Sequence, residues 1–218
     1  MTALAINLES LRNRVDYQGG MLGFICAVVT ILLVVGQQQT YAPIQARLAE
    51  DRQAILAQVL PQSYFDNDPL HNATEIVDTS LSSSPVQVYT ATKNGKASAF
   101  VFQVETEGYG GTITLMLALT PEGEIVGLRT LSHKETPGLA DKIETDKSDW
   151  ILGFNGLSLS NTAREKWAVK KDGGQFDQFT GATITPRAVV KGVFGGLEFY
   201  ARQSGKLLQN AKAGDEQS

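Results

Sequence analysis

The segment 177–187 reads Asp-Gln-Phe-Thr-Gly-Ala-Thr-Ile-Thr-Pro-Arg and places a hydroxyl where an anion would be stabilised. Thr185 before Pro186 is a good N-cap followed by proline at the first helical position, so the spacing predicts a helix starting there. Thr183 then stands just ahead of a helix N-terminus, whose unpaired N–H groups and positive dipole end favour a phosphate. Gly181 and Ala182 leave the approach to the Thr183 hydroxyl open. By themselves these residues also suit an ordinary strand-to-helix turn. A second segment, 132–139, reads Ser-His-Lys-Glu-Thr-Pro-Gly-Leu. Its Pro137-Gly138 pair fixes a tight turn that could present backbone groups to a ligand. His133 could equally be a loop histidine with a structural hydrogen bond, and Glu135-Thr136 a capping pair for a following helix.

Other chemistries are excluded by what is scarce. A single cysteine, Cys26, rules out an internal disulfide framework and a four-cysteine iron–sulfur cluster. Two histidines, His71 and His133, leave little for zinc. Nineteen Lys and Arg against 23 Asp and Glu give a net charge of −4, which argues against a nucleic-acid surface. No Gly-x-Gly-x-x-Gly fingerprint follows a strand signal, so nothing reads a dinucleotide.

The elements that must position these segments follow from periodicity. Residues 19–36 carry no charge over 18 positions, and a helix of that length spans ~27 Å, close to the hydrocarbon thickness of a bilayer. A cleaved signal peptide has a shorter apolar core and a small-residue cleavage site, which QQQTYAPIQARLA does not supply. The expected organisation is a lead at 1–18, a membrane-spanning helix at 19–36 and one domain at 37–218. Arg12 and Arg14 precede the span and the next basic residue is Arg47, which orients the N-terminus to the cytoplasm. Leu4, Leu8, Leu11 and Val15 recur at helical spacing and suit a short amphipathic helix or an ordinary membrane-entry helix.

Beyond the span, residues 41–60 read as a polar-faced helix stopped by Pro61. Strand patterns at 86–92 and 96–106 flank Asn94-Gly95, a strong hairpin dipeptide. Residues 112–120 alternate, with Ile113, Leu115, Leu117 and Leu119 on one face, and Pro121-Glu122-Gly123 turns the chain into 125–131. This predicts an antiparallel meander with one face to bury. Short helices are expected at 139–143 and 148–154, a longer one at 188–202 with Val190, Val193, Phe194, Leu197 and Tyr200 or Ala201 at helical spacing, and a frayed polar tail at 206–218. The class is α+β. Trp150, Trp167, Phe176 and Phe179 could shield a planar cofactor or simply form core.

Asp177-x-x-Thr180-Gly181-Ala182-Thr183 resembles the Asp-x-x-Ser/Thr-Gly-Ala-Thr signature of flavinylated FMN-binding domains. His133-x-Glu135-Thr136-Pro137-Gly138-Leu139 resembles the loop of the same family that packs by the isoalloxazine ring. The two occur in family order, and the anchor plan is similar to that of the G-subunit family of Rnf (Rsx) ion-translocating electron-transport complexes. The resemblance implies FMN joined through its phosphate to Thr183 by a dedicated flavin transferase, with Asp177 as part of the recognition motif. Ile184 and Thr185 follow the attachment residue and could contact the phosphate by position. It further implies a single-pass protein of a bacterial inner membrane, in contact with membrane lipid, with its C-terminal domain on the periplasmic side. Its partners would be other subunits of an electron-transport complex, and its role that of an electron carrier, not a catalyst on its own. The reading from a different class is a membrane-anchored binding or assembly protein without a redox cofactor.

Overall fold

A computed structural model describes residues 15–78, 81 and 85–215. The chain divides into two compact units, Met1–Asp51 and Arg52–Ser218. Helix α1 (Val15–Val59) starts in the first and ends in the second. Its stretch Gln18–Tyr41 is 24 residues long, apolar and exposed throughout, long enough to cross a bilayer. The expected helices at 19–36 and 41–60 are therefore one continuous helix. The spaced leucines at 4, 8 and 11 lie outside the described residues, as do 216–218.

In the second unit five antiparallel strands pair in chain order: β1 (Ala73–Ile76), β2 (Val86–Lys93), β3 (Lys96–Glu107), β4 (Thr112–Leu119) and β5 (Ile125–Ser132). The β2–β3 turn has Asn94 at φ 53° and Gly95 at φ 70°, and two positive φ values in a two-residue loop match the right-handed twist of the strands it joins. Ile113, Leu115, Leu117 and Leu119 face one way, as alternation requires, and all are fully buried. They meet Phe100, Phe102 and Val104 of β3 and the apolar stripe of helix α2 (Ile184–Asp215), which includes Val189, Val193, Leu197 and Tyr200.

The expectation of one buried face is corrected. Tyr89, Ala91, Ala99, Val101, Met116 and Ala118, on the opposite face, form a second core with Leu56, Val59 and Leu60. The last turn of α1 comes so close to β5 that a Cβ on Gly127 would stand 2.1 Å from the Val59 carbonyl oxygen. Only glycine admits that approach.

Two further expectations change. The segments at 139–143 and 148–154 are 3₁₀ stretches of one and two turns, Asp141–Ile143 and Asp149–Phe154, the latter capped by the Ser148 hydroxyl accepting from Trp150 N–H at 3.2 Å. The tail is not frayed up to Asp215. Leu207 and Ala211 continue the apolar stripe of α2 at helical spacing and are buried, so packing carries the helix past the polar residues between them.

Candidate functional site

The helix start lies slightly earlier than the sequence suggests. Thr183 directly precedes α2 and holds the N-cap place, while Thr185 sits inside the first turn. Thr185 is 1% exposed and its hydroxyl donates to the Glu135 carboxylate, so it is not free to cap. Pro186 also falls in the first turn, where its missing N–H costs no helical hydrogen bond.

The chain reaches Thr183 over an aromatic pedestal. Phe154 stacks on Phe176 at 4.2 Å and 16°. Trp150 meets Phe154 and Phe179 edge-on at 5.3 and 5.0 Å. The Trp150 indole N–H donates to the Asp177 carbonyl at 2.8 Å, fixing the strand-like segment above it. These aromatics are core packing. Gly181, at φ 84°, then turns the chain toward α2 in a conformation that L side chains rarely adopt.

Two ion pairs flank this run. Asp177 accepts from Lys170 at 2.6 Å, and Arg187 clasps Asp172 through Nε and Nη2 at 2.6 and 2.8 Å. The Arg187 hydrogen bonds hold the Asp172 carboxyl below the ordinary carboxylate range. All four side chains are substantially exposed, so these pairs orient the loop more than they stabilise the fold.

The second motif leaves β5 as a braced loop. His133 Nδ1 accepts from the Glu135 N–H at 3.1 Å, which leaves the ring hydrogen on Nε2, 2.5 Å from Glu144 Oε1. Gly138, at φ 76°, turns the chain, and the Thr136 carbonyl accepts from Leu139 and Ala140 N–H at 3.3 and 3.0 Å. Glu135 is 4% exposed, and its carboxylate accepts from Gly110 N–H at 2.8 Å as well as from Thr185.

Both motifs meet in one cavity of about 350 Å³. Of the residues singled out in the sequence, Glu135, Thr136, Leu139, Gly181, Ala182, Thr183, Ile184 and Thr185 line it. Asp177, Thr180, His133, Pro137 and Gly138 lie outside the lining, Asp177 and Thr180 on the exposed surface. Sequence reasoning missed Tyr109 and Ala140. Tyr109 stands in the turn Gly108–Gly111 between β3 and β4, and its only sequence signal is an aromatic set among glycines.

The cavity has an apolar rim. Among the described residues outside α1, five large apolar side chains are exposed, and three of them line this cavity. They are Tyr109 at 72%, Leu139 at 45% and Ile184 at 46%. Apolar surface clustered in this way marks a place that a ligand or partner covers. A volume near 350 Å³ lies within the ~300–1,000 Å³ of small-molecule sites. The residues fit a phosphate-bearing planar group: a hydroxyl at a helix start for the phosphate, and an apolar wall for the ring. A wider groove bordering the same loop is lined by Arg129, His133, Glu144 and Asp146 and is more polar and open. No cluster of three metal-ligating side chains occurs among the described residues.

The FMN-binding domain family matches residues 108–198, a stretch that contains every residue lining the cavity. Over 197 residues the chain is 55% identical to the G subunit of the ion-translocating oxidoreductase complex of Stutzerimonas stutzeri, covering 90% of this chain and 86% of that protein. The protein of the same name from Cereibacter sphaeroides is 46% identical over 87% of this chain and 86% of its own length. That from Pseudomonas aeruginosa is 41% identical over 88% and 92%. The chain belongs to the G-subunit family of ion-translocating oxidoreductase complexes. In this member of the family, the FMN-binding match begins at the glycine turn carrying Tyr109 and ends within α2. Both cavity-lining motifs therefore lie inside it, and α1 lies outside it.

Proposed function

We propose that this protein carries FMN bound through a phosphoester to Thr183 and relays electrons within an Rnf-type ion-translocating ferredoxin:NAD oxidoreductase complex. The observation that carries the reading is the single cavity in which the helix-start threonine and the Glu135–Leu139 loop come together. FMN, when bound, supplies one- and two-electron chemistry. The chain's own residues bind and shield it. The first N–H groups of a helix have no intrahelical acceptor, so those of α2 are available to a phosphate carried on the residue just before it. Leu139, Ile184 and Tyr109 supply apolar contact for a ring and exclude water from one side of it.

The neutral hydroxyl of Thr183 is a poor nucleophile and needs an external base. Among the described residues, Glu135 is the buried carboxylate of this cavity and already accepts two hydrogen bonds; the family resemblance assigns the base to the flavin transferase. In that step the threonine oxygen bonds to the FMN phosphorus of FAD, AMP leaves, and the hydroxyl proton passes to the transferase. A covalent tether retains the cofactor where replacement is not at hand. The apolar stretch of α1 anchors the protein in the inner membrane, with the lead at 1–18 in the cytoplasm and the domain on the periplasmic side, beside the other subunits of the complex. The chain itself is an electron carrier.

Intact mass of the full chain, co-expressed with a flavin transferase, tests this. The expected gain is one FMN minus water, abolished in Thr183→Ala. A colourless, unmodified wild-type chain under those conditions overturns the reading and favours a binding or assembly protein without a redox cofactor.

A further inference from the structure

We propose that Glu135 is a positioning residue: its buried carboxylate ties the turn carrying Tyr109 to the helix turn carrying Thr183, and so sets where the acceptor hydroxyl stands against the apolar wall. The inference rests on Thr183 as the attachment residue. The three segments joined are distant in sequence: the β3–β4 turn, the loop after β5 and the first turn of α2. One carboxylate oxygen accepts from Gly110 N–H at 2.8 Å and the other from the Thr185 hydroxyl.

The surroundings are shaped for this contact. A Cβ on Gly108 would stand 2.5 Å from Glu135 Oε1, and one on Gly110 would stand 1.9 Å from the Lys134 carbonyl oxygen. Two glycines thus let the turn lie directly on the Lys134-Glu135 backbone and admit the carboxylate. Glu135 is held in turn by its N–H to His133 Nδ1 at 3.1 Å, with the His133 ring fixed by Glu144. Both oxygens of this carboxylate act as acceptors. Such a group repels a phosphate and cannot be what binds it. Its place in the cavity wall is explained by holding the two sides together through charge-assisted hydrogen bonds, which are the strong kind.

The test is transfer of FMN from FAD to the full chain in detergent, by purified transferase, read as covalent flavin fluorescence against time. Thr185→Val keeps the side-chain shape and removes the donor. Its expected effect is a roughly tenfold lower kcat at unchanged KM for the acceptor chain, the scale of one charge-assisted hydrogen bond lost. Thr185→Ser restores the hydroxyl and the rate. Glu135→Ala combined with Thr185→Val is no slower than Glu135→Ala alone, because Glu135→Ala already removes the tie that Thr185→Val breaks. A Thr185→Val chain labelled as fast as wild type, or a Thr185→Ser chain as slow as Thr185→Val, overturns the proposal. Thermal unfolding shows that each chain is folded at the assay temperature. If Thr185→Val is not, Thr185→Ala, which removes the same donor with a smaller side chain, takes its place with the same expected loss. Thr183→Ala accompanies every series. Label on that variant overturns the attachment reading, whereas a blank there with an unaffected Thr185→Val overturns the clamp alone.

Discussion

Alanine at Gly195 and at Gly196, neighbours on α2, should differ in effect: stabilising at Gly195 and not at Gly196. Both substitutions remove the same helix-interior glycine penalty, ~0.8–1.0 kcal/mol. They differ in what the new methyl meets. A Cβ on Gly195 finds nothing within 4 Å. A Cβ on Gly196 would stand 2.9 Å from Leu117 Cδ2 and 2.9 Å from Val104 Cγ2, both on side chains with essentially no exposure. Val104 is β-branched and stiff, and Leu117 is packed between β4 and α2, so neither yields cheaply. Overpacking of this kind costs ~1–3 kcal/mol. Gly195→Ala is therefore expected to stabilise by ~0.5–1 kcal/mol and Gly196→Ala to be neutral or destabilising by up to ~2 kcal/mol. The difference between the two variants cancels the propensity gain and isolates the contact. The assay is urea unfolding of the full chain in detergent, followed by the fluorescence of Trp150 and Trp167, the only two tryptophans. A Gly196→Ala chain as stable as Gly195→Ala would refute the claim that α2 is seated on the sheet by direct backbone approach. That seating matters because α2 carries Thr183 at its head.

Phe154→Ala removes the fully buried ring that stacks on Phe176 and touches Trp150, and should cost ~3–5 kcal/mol in the same denaturation assay; a loss under ~1 kcal/mol would mean the pedestal does not hold the segment leading to Thr183. Burial, with a smaller contribution from Glu122, pushes the Tyr200 phenol above its ordinary range. The unfolded chain then ionises at Tyr200 from about pH 10 while the folded chain does not, so this stabilisation is full below that pH and is lost as pH rises. Tyr200→Phe should flatten the alkaline fall in unfolding midpoint, at ~0.5–1.5 kcal/mol lost near neutrality with the bond to the Pro121 carbonyl (2.9 Å). Parallel alkaline slopes for the two chains would contradict it.

Much of the fold was legible because local rules and tertiary packing agree. Asn94-Gly95 specifies its own turn, and the alternation of Ile113 to Leu119 names the face that meets α2. The second core was not legible, because Ala91, Ala99 and Ala118 are too small to announce a buried face. They are small because α1 lies close, and that information resides in Val59 and Gly127. Strand β1 escaped notice because it is four residues long, at the sheet edge, with no fully buried side chain. At the site, both motifs could be read as strings, but not that Glu135 spends its carboxylate on Gly110 and Thr185. The same contact explains the misplaced cap: Thr185 looked like the start of a helix because a buried acceptor fifty residues earlier in the chain cannot be inferred from spacing. Tyr109 was invisible for a related reason, since its meaning depends on where the glycine turn lands.

The strictly sequential strand order has a consequence in time. Each strand pairs with the one just before it, so every closure spans a short loop and the sheet can assemble as successive segments become available. α2 comes last and needs β3 and β4 already paired to receive its apolar stripe. The cavity wall is thus completed only after the platform beneath it exists. If Thr183 is the attachment residue, as proposed, a chain whose α2 has not docked offers no cavity wall beside it, and attachment there would report folding.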